Sequence, residues 1–365
     1  MLSDLIAPAR RLALVGLAKN TGKTETLAAI LRELAERETC VGVTSIGRDG
    51  EARDVIDARI EKPRIVLPAG SIVASTDELV RASGLAHERL ERTGVRTPLG
   101  EVVIARLAER GAVEVAGPSA AGDLRVVSDA MLSYGAERVL IDGSIDRRAA
   151  SSPAVADGLV IATGAVLSEE IEAVVAATRD AVELVRLPAA GDARAQDAVA
   201  RADEVPADGS PTHAGADSST DGSDEQILLE RRLVLGAEPA EIAALLREHP
   251  RASTFHVEGA LSERFLEGLL AARNDLSPPT RRELKIVARD PTRVFLTQHG
   301  PGWYRRQGVE VEVRTTIDLK AITVNPVAPQ SHRFDSRRLR ELIETAIGDV
   351  PVLDVLDRDY LALAK

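Results

Sequence analysis

The residues best equipped for chemistry are Gly16-Leu17-Ala18-Lys19-Asn20-Thr21-Gly22-Lys23-Thr24. Glycine lets successive backbone N–H groups turn inward toward an anion. A helix opening here would add free N–H groups and the positive end of its dipole. Lys23 would then reach β- and γ-phosphates, and the Thr24 hydroxyl would ligate Mg²⁺. Lys19 brings a second cation into the same loop. The run departs from the usual G-x-x-x-x-G-K-[ST] pattern. That spacing asks for glycine at position 17, which Leu17 holds, and Gly16 lies one residue earlier. Gly-Lys-Thr alone is a weak signal, and an ordinary strand-to-helix turn is the competing reading. Only six of the 46 basic residues are lysine, and two of those six fall inside this loop.

A phosphate loop that uses Mg²⁺ needs an acidic residue at the end of a neighbouring strand. Asp142, closing the apolar run Val139-Leu140-Ile141, fits best, and Gly143-Ser144 would leave room for a ligand; the alternative is an Asp-Gly turn. The second candidate is the segment Gly47-Arg48-Asp49-Gly50-Glu51, in which Asp49 or Glu51 would orient water or Mg²⁺ and Arg48 would meet phosphate. A solvated charged turn explains it equally well. Thr163-Gly164-Ala165 and Asn325-Pro326 each end a strand-like run and read as turns that can also face the site.

The elements that must position these residues alternate in type. Residues 11–16, 41–46, 138–142 and 158–163 are short apolar runs suited to a sheet buried on both faces. Leu27, Ile30, Leu31 and Leu34 form a helical stripe within 24–37. Ser168 can cap a further helix bearing Ile171, Val174, Val175, Thr178 and Val182. Residues 99–116 read as two strands turning around Glu109-Arg110-Gly111. Strands alternating with helices predict an α/β fold, with a doubly wound, mostly parallel sheet of the P-loop NTPase type and an inserted β-hairpin. Residues 191–226 form a low-complexity acidic linker or loop, most plainly over 203–225, where there is almost nothing to bury. The alternation then resumes, with Ser262 capping a helix that carries Phe265, Leu266, Leu269 and Leu270. The organisation expected is a nucleotide-binding domain over 1–190, the linker, and a C-terminal α/β domain over 227–365.

Composition narrows the classes. The 365 residues are 44% hydrophobic, 2% aromatic and 28% charged, with net charge -11. A basic face for nucleic acid and a stacking surface for single strands are both hard to build from this. The single cysteine, Cys40, rules out an intramolecular disulfide and a Cys-rich zinc site, and it reads as a small buried residue. No apolar stretch reaches membrane-spanning length, so the expectation is a cytoplasmic protein without nucleic-acid or membrane partners. Trp303-Tyr304-Arg305-Arg306, the one aromatic–basic cluster, reads as a core anchor. The chain lacks Asn-Lys-x-Asp, Thr-Lys-x-Asp and Asp-x-x-Gly, which favours ATP over GTP. It also lacks Gly-x-Ser-x-Gly, so a serine hydrolase has no support.

The blocks VGLAKNTGKTETL, GVTSIGRDGE, TPLGEVVIA, VEVAGPS, VLIDGSIDR and ITVNP together resemble the P-loop subunit of lysine 5,6-aminomutase reactivases. The resemblance spans most of the chain except 189–235, which looks like an insertion. Lys-Asn-Thr-Gly-Lys-Thr is also similar to the P-loops of molybdopterin-cofactor accessory GTPases, over little more than the loop. The first resemblance implies an ATPase that acts with a MutS-like ATPase partner on an adenosylcobalamin-dependent aminomutase, releasing damaged cofactor. It carries Lys19, Asn20, Thr21, Gly22, Lys23 and Thr24 over as ATP-binding residues and assigns nothing to Asp49 or Asp142. Two other readings stay open. One is a kinase or ligase acting on a small carboxylate, similar to dethiobiotin synthetase, with a pocket lined by Arg48, Ser144 and Arg147. The other is a nucleotide-binding scaffold without turnover.

Overall fold

The computed structural model describes residues 1–46, 64–144, 148–191, 225–229, 231–236, 238–277, 281–329, 331–357 and 360. The chain divides into two compact units. One comprises Met1–Val182 with Ile317–Lys365, the other Glu183–Thr316. No helix among the described residues is long and apolar enough to cross a membrane.

In the first unit the strands are β1 (Arg11–Gly16), β2 (Val41–Ser45), β3 (Ile65–Leu67), β4 (Ile72–Thr76), β5 (His87–Thr97), β6 (Gly100–Leu107), β7 (Gly111–Val113), β8 (Arg138–Ser144) and β9 (Gly158–Gly164). The second unit carries β10 (Glu225–Leu229), β11 (Ala252–Val257), β12 (Leu261–Ser262), β13 (Leu284–Ala288), β14 (Val294–Phe295) and β15 (Val309–Val313). The chain then returns to the first unit with β16 (Asp318–Asn325) and β17 (Val352–Leu353). The helices of the first unit that matter below are α1 (Leu2–Leu5), α2 (Lys23–Glu36), α3 (Asp77–Ala82), α4 (Ala121–Ser133) and α5 (Ile171–Val185).

The first unit is built on a nine-stranded sheet of order β17-β16-β9-β1-β8-β2-β4-β6-β5. Every neighbouring pair from β17 to β4 is parallel, and only β6 and β5 run antiparallel to their neighbours. Every residue of β1, β2 and β9 is buried, as sheets covered on both faces require. Leu12, Leu14 and Leu140 join the core that contains Leu27, Ile30 and Leu34 of α2. Val139 and Ile141 join the other, with Leu124, Val127 and Met131 of α4. Adjacent residues of β8 therefore feed opposite cores, with helices on both faces.

Two boundaries differ from the sequence expectation. The hairpin is β5–β6, and its turn lies at Thr97–Gly100, where Thr97 Oγ1 donates to Gly100 O at 3.0 Å. The segment after Glu109-Arg110-Gly111 does not fold back on β6. It forms β7, which pairs antiparallel with β3. β5 lacks an apolar run because its residues are mostly polar or charged, with Leu90 and Val95 supplying its packing on the core. Likewise, residues after Thr316 do not complete a C-terminal domain over 227–365. β16 pairs with β9 and β17 with β16, extending the first sheet. Most of the expected linker lies outside the described residues, and β10 begins two residues inside its expected end.

The second unit has a parallel sheet of order β10-β11-β13-β15. Phe255, Val257, Ile286 and Val311 pack there with Leu266 and Leu269 of the helix Glu263–Asn274. Ser262 caps that helix as expected, accepting from Phe265 N at 3.4 Å.

Candidate functional site

Parallel register brings the carboxyl ends of five strands to one edge. Gly16 lies opposite Ser144 and Ala162, Ser45 opposite Asp142, and Asn325 opposite Gly164. In open α/β sheets ligands bind at this edge.

The loop after β1 is wound tightly. A Cβ on Gly16 would stand 2.7 Å from Thr21 Oγ1, and that hydroxyl donates to Ala18 O at 3.0 Å. Leu17 N still donates to Ala162 O at 2.9 Å, so pairing with β9 runs one residue past β1. This accounts for the displaced glycine. The close approach falls at Gly16, and the half-buried Leu17 continues the strand-like pairing. Asn20 has φ 68° and Gly22 φ 88°, both left-handed. Gly22 is required twice over, because a Cβ there would also meet Asn325 Cβ at 2.9 Å.

α2 starts at Lys23 with Gly22 as its N-cap and no side chain capping it. Thr26 N, donating to Gly22 O at 2.9 Å, makes the helix's first backbone bond, so the N–H groups of the preceding turn point out of the helix end. These N–H groups and the dipole suit an anion. Lys19 is exposed and has no side-chain partner among the described residues, and Thr24 is exposed on the first turn. Lys23 Nζ donates to Asp142 Oδ1, joining the loop to β8. The backbone oxygen of Asp142 accepts from Ser45 Oγ at 3.1 Å and Ile46 N at 3.0 Å, which fixes the carboxylate's base against β2.

Asn325, at the end of β16, adds a contact that residue patterns did not reveal. Its Nδ2 donates to Asn20 O at 3.1 Å, and its Oδ1 accepts from Val327 N at 3.1 Å. Two residues earlier in the same strand, Thr323 Oγ1 shares a 2.7 Å hydrogen bond with Thr26 Oγ1 of α2. β16, next to the sheet's edge strand, therefore holds both the loop and its helix. The far half of α2 is anchored too. Buried Glu33 accepts from Ser3 N at 2.8 Å and from Tyr360 Oη. Burial and that bond to Glu33 push the Tyr360 phenol above its usual range.

Other candidates fall elsewhere. Gly143 does not leave room for a ligand, because a Cβ there would meet Ala150 Cβ at 2.9 Å. Thr163 is fully buried and bonds Thr178 Oγ1 of α5 at 2.7 Å, so it fastens a helix rather than lining a pocket. Asp49, Arg48, Glu51 and Arg147 lie outside the described residues. Cys40 is half-buried, its Sγ 3.7 Å from Gly70 O. In the second unit Tyr304 is fully buried, while Trp303 stacks on His299 with centroids 3.9 Å apart.

The donor set fits a hard cation. Asp142 already has a cationic group, the Lys23 ammonium, on its carboxylate, and the Thr24 hydroxyl follows Lys23 directly in α2. Among the described residues no group of three or more His, Cys, Asp or Glu side chains converges. Comparison with protein-family models, curated proteins and solved structures gives no match to this chain.

Proposed function

We propose that this protein is a P-loop NTPase that binds ATP with Mg²⁺ at the Gly16–Thr24 loop and hydrolyses it to ADP and phosphate. The observation that carries this reading is the meeting of Lys23, on the first turn of α2, with Asp142 at the end of the adjacent parallel strand β8. A lysine on a glycine-flanked helix start and a carboxylate on the next strand are the two charges a phosphate–metal pair requires. The backbone N–H groups of the loop and α2 would hold phosphate oxygens, Lys23 the terminal phosphates, and Thr24 and Asp142 the Mg²⁺. The bound metal would supply charge neutralisation on those oxygens. Lys19 would add a second cation at the loop's exposed crest.

The resemblance to reactivase subunits supplies the biological setting. ATP binding and hydrolysis would alternate the affinity of this subunit for a MutS-like ATPase and an adenosylcobalamin-dependent aminomutase. Nucleotide states drive such a cycle only if they differ in affinity for the target. Tagged protein would be used to capture partners from its host lysate with ADP and with a non-hydrolysable ATP analogue, alongside a phosphate-release assay. Mg²⁺-dependent release, and nucleotide-dependent recovery of aminomutase subunits with a second ATPase, are expected. Phosphate release without protein partners in either state would move the reading to a small-molecule kinase or ligase. Absence of turnover under all conditions would contradict the ATPase assignment.

A further inference from the structure

We propose that the start of α4 and the hydroxyl of Thr76 form a second anion-binding subsite, separate from the Gly16–Thr24 loop. Its ligand is a small molecule presenting an oxyanion group, a carboxylate or a phosphate. α4 runs for 13 residues with Ala120 as its N-cap, and no side chain caps it. Its first backbone bond, Leu124 N to Ala120 O at 3.0 Å, leaves the N–H groups of Ala121, Gly122 and Asp123 pointing out of the helix end. There is room before them, since a Cβ on Gly122 would meet nothing within 4 Å. The loop leading in is fixed on the sheet, because a Cβ on Gly117 would collide with Ser45 O at the end of β2. A second group points to the same place. Thr76 is fully buried, and its Oγ1 has no hydrogen-bond partner among the described residues. It stands at the N-cap position of α3 without capping that helix. Burying a hydroxyl without a partner is destabilising, and a bound oxyanion would restore its hydrogen bond.

Alternation along β4 aims Thr76 at α4. Ile72 and Ala74 lie on the face that packs with Leu124, Val127 and Met131 of α4, and Thr76 is the next residue on that face. The heights match as well. A Cβ on Gly42 would meet Met131 Cε at 2.9 Å, and Gly42 lies opposite Ile72. From Met131 back to Ala121, α4 covers about 15 Å toward the carboxyl edge. From Ile72 to Thr76, β4 covers about 13 Å in the same direction. The Thr76 hydroxyl therefore stands beside the first turn of α4, where an O–H donor, free N–H groups and the helix dipole converge on one oxyanion. This is not the phosphate loop. β4 is three strands from β1 in the sheet, about 14 Å away. α4 also packs on the opposite face from α2. Asp123, exposed on the same turn, weakens the hold by like-charge repulsion.

The test is thermal unfolding of the full-length protein titrated with inorganic phosphate or with acetate, at an ionic strength held constant with chloride. It is run on the unaltered chain and on Lys23→Ala, in which the phosphate loop has lost its own claim on an anion. A saturable rise in the midpoint that persists in Lys23→Ala is expected, and the anion giving the larger rise identifies the group the subsite takes. Adding Thr76→Val should weaken that anion about tenfold while leaving the anion-free midpoint unchanged or higher, because the lost hydroxyl had no partner. Ala121→Pro, tolerated at a first helical position, removes one N–H and should weaken the same anion. Asp123→Asn should tighten it. No rise with either anion, or a rise that Thr76→Val and Ala121→Pro both leave untouched in the Lys23→Ala chain, would overturn the subsite. A rise that Lys23→Ala abolishes would overturn it too, by placing the anion in the phosphate loop.

Discussion

Asp142 and Glu263 are both sheltered carboxylates, yet they are built for opposite ends. Glu263, the first residue of its helix, accepts from the N–H groups of Thr297 at 2.7 Å, Gln298 at 2.9 Å and His299 at 2.9 Å. It also takes the hydroxyls of Thr297 at 2.5 Å and Tyr304 at 3.3 Å. Burial alone would raise its pKa, but the hydrogen bonds from Thr297, His299 and Gln298 outweigh burial and hold it at about 2. Its acceptor capacity is used up on residues 297–304, the loop and the start of the helix that follows it. Among the described residues Asp142 has one side-chain donor, Lys23. A saturated carboxylate fastens a fold, whereas one with a single exchangeable partner can exchange it for a ligand.

The sharpest way to break this contrast is at the saturated end. Glu263→Gln should destabilise the second unit by about 2–4 kcal/mol, since an amide cannot accept from all five donors and brings donors of its own. Urea unfolding of the full-length protein, followed by Trp303 fluorescence, would measure it; a loss under about 0.5 kcal/mol would make the cradle incidental. The same group sets an acid limit. Its folded pKa lies below the unfolded value, so its contribution is complete above about pH 4.5 and fades as pH falls toward about 2. Glu263→Gln should flatten that part of the pH–stability curve.

At the exchangeable end the changes are smaller in stability and larger in binding. Gly22→Ala should cost about 1–3 kcal/mol, because it forces a side chain into the left-handed region and against Asn325. Its thermal midpoint should fall along with nucleotide affinity. Asn325→Ala removes the tie to Asn20 and should cost about 1 kcal/mol, with nucleotide affinity falling more than global stability. Equal losses in both would mean that Asn325 supports the sheet rather than the loop. Thr323→Val should have the smallest effect, about 0.5–1.5 kcal/mol of stability from the lost bond to Thr26, with binding little changed.

What could be read in advance follows the same division. The placement of Lys23 and Thr24 at the start of a helix, and of Asp142 near the end of a strand, was legible because each follows an apolar run. The sheet's centre was legible because strands buried on both faces are continuously apolar. Asn325's grip on Asn20 was not, since the two are separated by a whole inserted unit and neither carries a pattern pointing to the other. Glu263 is by type an ordinary acidic residue at a helix start, and its donors lie more than 30 residues on. The return of β16 to the first sheet was hidden for the same reason. Strand periodicity says what a segment is, not which sheet it joins.

The central claim is that the Gly16–Thr24 loop is a nucleotide-phosphate site, and calorimetric titration of Mg²⁺–ATP into the full-length protein and its Lys23→Ala variant tests it most directly. Saturable binding at one site is expected for the unaltered chain, weakened at least about tenfold in a folded Lys23→Ala variant by loss of the charge-assisted contact. Unchanged ATP affinity in that variant would contradict the account.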